Sequence, residues 1–112
     1  MSRAMGDFSY KAKADLDDAN QQVIAVPDVV IVERDPEADT FVVLACDGIF
    51  DVLSNEQLID FIVEKKAEGL ENEAICEAVC LHCLAPPSMV TGQPARPDGT
   101  DNMTIIIVDL LN

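Results

Sequence analysis

The stretch TFVVLACDGIFD, residues 40–51, joins an apolar run to two closely spaced aspartates. The run is continuous rather than alternating, which is typical of a strand that is covered on both faces. We therefore predict a strand over residues 40–46. Asp47 follows that strand directly, so a carboxylate stands at the end of a buried element. Asp47 and the glycine after it also form an ordinary turn pair, so the placement has two interpretations.

Two further strands are predicted on either side of this stretch. Residues 29–34 are rich in β-branched side chains and indicate a strand that pairs as a hairpin with residues 40–46. Residues 35–39, DPEAD, have the composition of the connecting turn. Residues 103–110, MTIIIVDL, indicate a third strand near the end of the chain.

Two helices are predicted between the second and third strands. Ser54 and Gln57 match a capping box ahead of an apolar helical stripe, which Gly69 is expected to end. Asn72 is expected to cap a second helix, and the Pro86–Pro87 pair ends it before an irregular loop. The predicted order is β-β-α-α-β, an α+β arrangement.

Length and composition indicate one small globular domain. The chain has 112 residues, of which 49% are hydrophobic and 25% charged. We expect a cytoplasmic or nuclear protein, because no apolar run has the length of a membrane span and no secretory pattern opens the chain. The net charge of −14 disfavours nucleic acid and anionic membranes as partners.

Three of the four cysteines share one face of the second predicted helix. Cys76, Cys80 and Cys83 are spaced i, i+4, i+7, which favours thiols that face the core of a reduced protein. A zinc site is the alternative, but His82 points away from that face and the chain has no paired CxxC motifs.

The second predicted strand and the third each have an aspartate at one end. Asp47 follows one strand and Asp101 precedes the other. If the strands are adjacent and antiparallel, both carboxylates lie at the same edge of the sheet. Rigidly held oxygen ligands of this kind suit a hard cation, but the spacing alone favours simple turn chemistry for both residues.

Three ordered motifs resemble those of the metal-dependent protein phosphatase 2C family. They are SRAMGDFSYK at residues 2–11, LACDGIFDVLSNEQLIDFI at residues 44–62 and GTDNMTIIIV at residues 99–108. The resemblance implies a four-layer α-β-β-α sandwich with antiparallel sheets. It also implies hydrolysis of phosphoserine and phosphothreonine in protein substrates, with Mg²⁺ or Mn²⁺ in a binuclear centre.

The resemblance also assigns site residues. Asp47 and Asp101 match metal ligands of the family. Asp51, Asn102 and Asp7 match motif positions that we expect to support the site without ligating metal. No catalytic residue is identifiable in the chain.

The resemblance is to the C-terminal portion of the family domain, so residues 1–112 are expected to lack its N-terminal half. The Asp-Gly-His-Gly motif of that half has no counterpart here. We therefore expect this chain to be inactive alone and to self-associate through uncovered sheet surfaces. The alternative function is a non-catalytic, pseudophosphatase-like interaction module.

Another enzyme class is weaker on the residues. Asp98-Gly99-Thr100 echoes the DxDGT motif of haloacid-dehalogenase-like phosphatases, but Arg96 stands where their nucleophilic aspartate belongs.

Overall fold

The computed structural model describes residues 2–89 and 91–110. It divides into two units, Met1–Arg34 and Asp35–Asn112, each of which is described by itself. Residue 90, which belongs to the predicted loop after the second helix, lies outside the described residues.

An antiparallel two-stranded sheet forms the centre of the second unit. Strand β1 (Phe41–Ala45) pairs with strand β2 (Ile105–Asp109), and the register places Phe41 opposite Asp109 and Ala45 opposite Ile105. The predicted strands over residues 40–46 and 103–110 are confirmed in type, with slightly shorter bounds. Their antiparallel pairing was a condition in the sequence analysis, and the structure meets it. The predicted hairpin between residues 29–34 and 40–46 was wrong. Together with the helices, the sheet confirms the α+β class.

Among the described residues, three helices lie between the strands. They are α1 (Asp47–Phe50), α2 (Asn55–Ala67) and α3 (Asn72–Cys83). The short α1 is separated from β1 by one residue, its N-cap Cys46, and was not predicted. In the part of the chain that the structure describes, no helix combines the length and apolarity that crossing a membrane requires.

The capping box at the start of α2 is confirmed. The Ser54 hydroxyl accepts from the Gln57 N–H at 3.2 Å, and the Gln57 side chain accepts from the Ser54 N–H at 2.9 Å. These two bonds satisfy backbone donors that a helix start otherwise leaves unpaired. Gly69 follows the helix with a φ of 85°, as its predicted role as a helix stop requires.

The predicted cap of α3 was wrong by one residue. Glu71 occupies the N-cap position and Asn72 is the first helical residue. The Asn72 amide is engaged elsewhere: it accepts from Lys66 Nζ at 2.7 Å and donates to Asp109 Oδ2 at 2.9 Å. Lys66 Nζ also contacts Asp109 Oδ1 at 2.6 Å. This polar cluster of Lys66, Asn72 and Asp109 connects α2, α3 and β2.

The core lies between the helices and one face of the sheet. Fully buried aliphatic side chains each contribute about 1.5–3 kcal/mol relative to exposure. On the sheet, Phe41, Val43 and Ala45 of β1 pack against this cluster. Its buried members are Ile49, Leu53, Leu58, Ile62, Ile75, Val79, Cys83 and Ile107.

The opposite face of the sheet is apolar and exposed, so β1 is covered on one face, and the prediction from its continuous apolar run that both faces are covered was wrong. Val42 pairs with Val108, and Leu44 pairs with Ile106. These four side chains are 44–53% exposed. We call them the outer sheet face; it presents a continuous hydrophobic surface of the kind that marks interaction sites.

The structure departs from the prediction at residues 29–34, which are not assigned to a strand. Their apolar side chains at residues 29–32 are 77–94% exposed. Within the described residues, the sheet consists of β1 and β2 alone. β-Propensity is realised when a segment packs and pairs with a neighbour, so the composition of residues 29–34 is not enough to form a strand.

The first unit consists of turns around a short 3₁₀ helix, Phe8–Lys11. The Ala4 N–H donates to Ile24 O at 3.0 Å, and Lys11 Nζ donates to the carbonyls of Ala4 and Gly6. The SRAMGD motif is therefore held as a loop around the Lys11 ammonium group.

Candidate functional site

The two strand ends that carry the acidic motifs lie together. Beyond the last ladder pair, the Cys46 N–H donates to Thr104 O at 3.1 Å, and the Thr104 N–H donates to Cys46 Sγ at 3.2 Å. The Cys46 thiol in turn donates to Asn102 O at 3.4 Å. Asp47 follows β1 and Asp101 precedes β2, so the two aspartates lie at the same end of the sheet, as expected for antiparallel neighbours.

Gly48 makes the approach of these two segments feasible. A Cβ atom at this position would lie 2.3 Å from Asn102 O and 3.1 Å from the Asn102 carbonyl carbon. Any side chain would push α1 away from the segment that enters β2. The close approach of Asn102 thus requires a glycine at this position of the LACDG motif, independently of its turn propensity.

Both predicted ligands are exposed and make bonds to neighbouring backbone. Asp47 Oδ1 accepts from the Gly48 N–H at 3.1 Å. Asp101 Oδ1 accepts from the Asn102 N–H at 2.7 Å. These bonds are the turn chemistry that the sequence also allowed, and they orient carboxylates that remain open to solvent.

An open, acidic depression of about 270 Å³ lies beside this end of the sheet. Three of its lining residues are aspartates, including Asp51 of the LACDGIFD motif and Asp98, which was not predicted as a site residue. Asp47 lies next in sequence to a lining residue, Gly48. The lining comprises Gly48, Asp51, Pro97, Asp98, Gly99, Thr100 and Asp101.

The donor set of the depression suits a hard divalent cation in kind, because its side chains offer carboxylate and hydroxyl oxygens and no sulfur. Residues 2–89 and 91–110 contain no group of three histidine, cysteine or acidic side chains that could hold a metal ion. In the part of the chain that the structure describes, the depression therefore offers oxygen atoms of the right type but no set of three such side chains around one point.

Asp7 belongs to the first unit, whereas the other predicted site residues belong to the second. Its φ of 52° is unusual for a residue other than glycine. It precedes the 3₁₀ helix and lines a depression with Tyr10, Gln22 and Val23.

Arg96 anchors the loop that leads to Asp101, a role that sequence reasoning missed. Its guanidinium Nη2 donates to Cys83 O at 2.9 Å and to His82 O at 3.4 Å, at the end of α3. Arg96 Nη1 also lies 3.8 Å from Asp98 Oδ2. No local sequence signal links an arginine to a helix end that lies thirteen residues earlier in the chain.

The cysteines of α3 face the core as predicted. Cys83 is buried, and Cys76 and Cys80 are partly buried against the core cluster. Burial raises the pKa of the Cys83 and Cys80 thiols, so both favour the neutral form. The ring of His82 contacts the Phe61 ring at a centroid distance of 5.1 Å.

Comparison with known proteins identifies the family. The family model described as protein phosphatase 2C matches residues 1–91. A probable protein phosphatase 2C of Caenorhabditis elegans is 42% identical over 100% of this chain and 30% of its own length. Protein phosphatase 2C homolog 2 of Schizosaccharomyces pombe is 43% identical over 100% of this chain and 29% of its own length.

A plant relative gives the same result: probable protein phosphatase 2C 60 of Arabidopsis thaliana is 41% identical over 100% of this chain and 29% of its own length. The chain thus spans about 30% of the curated relatives that it matches. With the family model matching most of its residues, the chain belongs to the protein phosphatase 2C family.

Proposed function

We propose that this chain forms the C-terminal part of a metal-dependent protein serine/threonine phosphatase domain and contributes part of its metal site. Membership of the protein phosphatase 2C family supports the activity. The observation that carries the site is the antiparallel register, which brings the Asp47 end of β1 and the Asp101 end of β2 to one edge of the sheet.

The proposed ligands are Asp47 and Asp101, whose carboxylates suit Mg²⁺ or Mn²⁺. Asp51 lines the same depression and is proposed to hold solvent or a neighbouring ligand in place. The Asn102 N–H donates to the Asp101 carboxylate and fixes its direction. Asp7 remains a proposed supporting residue, on the evidence of its motif alone.

When bound, such divalent ions supply a hydroxide-like water near neutral pH and offset negative charge on the phosphoryl oxygens. The chain's own residues supply the anionic side of this balance. A protein with a net charge of −14 repels phosphorylated substrates unless cations reverse the local field. Asp47 and Asp101 would place those cations at the end of the sheet where we propose that substrate binds.

We propose that the 112-residue chain is a poor phosphatase by itself. Two carboxylates hold Mg²⁺ weakly, because this ion keeps most of its waters and needs near-ideal octahedral geometry. The described residues lack a three-ligand group. The remaining ligands, and the groups that bind the phosphoryl oxygens, would come from the N-terminal part of a longer family domain.

Calorimetric titration with Mn²⁺ tests the half-site directly. The expected result is weak, millimolar binding that is lost in both Asp47→Asn and Asp101→Asn. Asp60→Asn is the matched control, because Asp60 is an exposed aspartate on α2. Binding that survives both site substitutions, or that Asp60→Asn weakens equally, would contradict the assignment of these ligands.

A phosphatase assay tests the activity. A phosphothreonine peptide with Mn²⁺ should be hydrolysed by the chain joined to the rest of a family domain and not by the 112 residues alone. The joined protein should lose activity on Asp101→Asn. Mn²⁺ binding without hydrolysis in the joined protein would favour the alternative function, a pseudophosphatase-like interaction module.

The proposed partners are phosphorylated proteins and further copies of this chain, which would bind through the outer sheet face. The outer sheet face supports self-association, because its four apolar side chains are aligned and half-exposed. The acidic net charge supports the expectation that nucleic acid is not a partner.

A further inference from the structure

We propose that Arg96 is a positioning residue for the metal site: it fixes the loop that carries Asp98 and Asp101 against the end of α3. The inference rests on the proposed function in one respect, namely that Asp101 is a metal ligand. Arg96 itself would touch neither metal nor substrate.

The anchor is the guanidinium group at the C-terminus of α3. Arg96 Nη2 donates to the carbonyl of Cys83, the last helical residue, at 2.9 Å and to that of His82 at 3.4 Å. Carbonyls in the last turn of a helix lack intrahelical donors, and the helix dipole favours a cation there. Arg96 supplies both the hydrogen-bond donor and the positive charge. Its Nε is buried and has no hydrogen-bond partner among the described residues.

Gly99 brings the same loop into direct contact with the residues after α3. The Ala85 N–H donates to Gly99 O at 2.8 Å. A Cβ atom on Gly99 would lie 2.1 Å from Cys83 O, and the φ of 78° is itself in the region that favours glycine. Between Arg96 and Gly99 the loop is therefore bound to the helix end at two points.

Asp101 is in this way held from both sides. Two residues before it, Gly99 is bound to Ala85. Immediately after it, Asn102 O accepts from the Cys46 thiol and lies so close to Gly48 that no side chain fits there. The bond from Asp101 to the Asn102 N–H orients the carboxylate within the loop but does not fix the loop in space. A ligand needs that support from its surroundings, because each degree of freedom left in the loop is lost when metal binds.

The charge of Arg96 has a second effect on the acidic depression. Its Nη1 lies 3.8 Å from Asp98 Oδ2, and Asp98 lines the depression with Asp101. The arginine thereby draws one carboxylate towards the helix end.

The test compares Arg96→Ala and Arg96→Lys by NMR in the 112-residue chain. The first readout is the Mn²⁺ concentration that halves the amide signals of Gly48 and Asp101, with the Asp60 amide as the reference for unspecific binding. This concentration should rise about tenfold in Arg96→Ala, the lower end of the loss usual for residues that orient metal ligands. The Mn²⁺ concentration for Arg96→Lys should lie between those of the unsubstituted chain and Arg96→Ala, since lysine keeps the positive charge and loses the two parallel donors of the guanidinium group.

The second readout needs no metal. Exchange of the Ala85 amide with solvent should accelerate in Arg96→Ala and recover in part in Arg96→Lys. The control is Lys66→Ala, which breaks the polar cluster with Asn72 and Asp109 at the other end of β2. It should lower stability while the Mn²⁺ concentration stays unchanged.

The outcomes separate the two proposals. Unchanged Ala85 exchange, or an unchanged Mn²⁺ concentration, in Arg96→Ala overturns the positioning role. If the Mn²⁺ concentration rises as much in Lys66→Ala as in Arg96→Ala, the positioning role is also overturned, because general destabilisation then explains the effect. If Mn²⁺ leaves the signals of the unsubstituted chain unaffected, the proposed metal role of this chain is overturned instead, and Ala85 exchange alone decides whether Arg96 holds the loop.

Discussion

At the scale of single residues, Gly48 combines a sequence motif with a steric demand. Gly48→Ala should destabilise the chain by about 2–3 kcal/mol, because the added methyl group meets Asn102 O at 2.3 Å. Urea denaturation measures this free energy of unfolding. The same variant should also lose Mn²⁺ binding, since the approach of the two strand ends is disturbed.

The control for this substitution is Gly92→Ala. Gly92 has a φ of 69°, and a Cβ atom added there would meet no atom within 4 Å, so only backbone strain applies. That strain should cost about 1 kcal/mol. Equal losses at the two glycines would show that steric contact with Asn102 is not what fixes Gly48.

The Asp109 carboxylate makes stability depend on pH. Hydrogen bonds from Lys66 and then from Asn72 lower the pKa of Asp109 below its ordinary value of 3.8. The unfolded chain therefore takes up this proton first as the pH falls. Its contribution to stability is present above the ordinary pKa and is lost as the pH falls through the lowered one.

Asp109→Asn should accordingly flatten the acid limb of the stability curve. Urea midpoints measured between about pH 5 and pH 2 should fall less steeply in this variant than in the unsubstituted chain. Asp60→Asn, at an exposed position on α2, should leave the slope unchanged. Parallel curves for the unsubstituted chain and Asp109→Asn would contradict the role of the polar cluster.

At the scale of elements, the start of α2 rests on the Ser54–Gln57 capping box. Ser54→Ala should cost about 0.5–2 kcal/mol, because the Gln57 N–H loses its acceptor. Ser54→Gly should cost less, about 0.3 kcal/mol, because glycine is itself tolerated at the N-cap. Thermal unfolding followed by circular dichroism measures both, and equal losses would mean that the hydroxyl is not what stabilises the helix start.

The elements that were predicted correctly depend on local signals. The capping box, Gly69 and the Pro86–Pro87 pair act within a few residues, so the bounds of α2 and the end of α3 were readable from the sequence. Residues 29–34 depend on a pairing partner, which composition does not provide. The cap of α3 was misplaced because Asn72 has a tertiary role with Lys66 and Asp109 that outweighs its capping preference.

The site divides in the same way. The sequence places Asp47 after one strand and Asp101 before another, and the two lie at one end of the sheet because the strands are antiparallel neighbours, which the sequence analysis only took as a condition. The contacts of Arg96 with α3 and of Gly48 with Asn102 join segments that are distant in sequence, and no local pattern predicts them. The ligand roles themselves stay predictions that rest on the family.

At the scale of the whole molecule, the outer sheet face should govern self-association. We expect the chain to form concentration-dependent oligomers in sedimentation velocity experiments. Leu44→Lys should shift them towards monomer, because it places a charge in the middle of the four apolar side chains. The matched control is Leu81→Lys, at an exposed leucine of α3.

A monomeric unsubstituted chain at all concentrations would contradict this use of the face. Oligomers that resist Leu44→Lys but dissociate on Ile31→Lys would instead assign the contact to the exposed apolar residues 29–32.

The sulfur atom at the end of the ladder gives the chain a built-in reporter. Cys46 is partly exposed, and its Sγ accepts from the Thr104 N–H and donates to Asn102 O, so we expect an alkylating reagent to react with it faster when the two strand ends separate. A change in its labelling rate, followed by mass spectrometry beside the buried Cys83, should therefore report a change in how tightly the acidic end of the sheet is closed. No foreign probe has to be introduced, and the opening can be timed in the presence and absence of Mn²⁺.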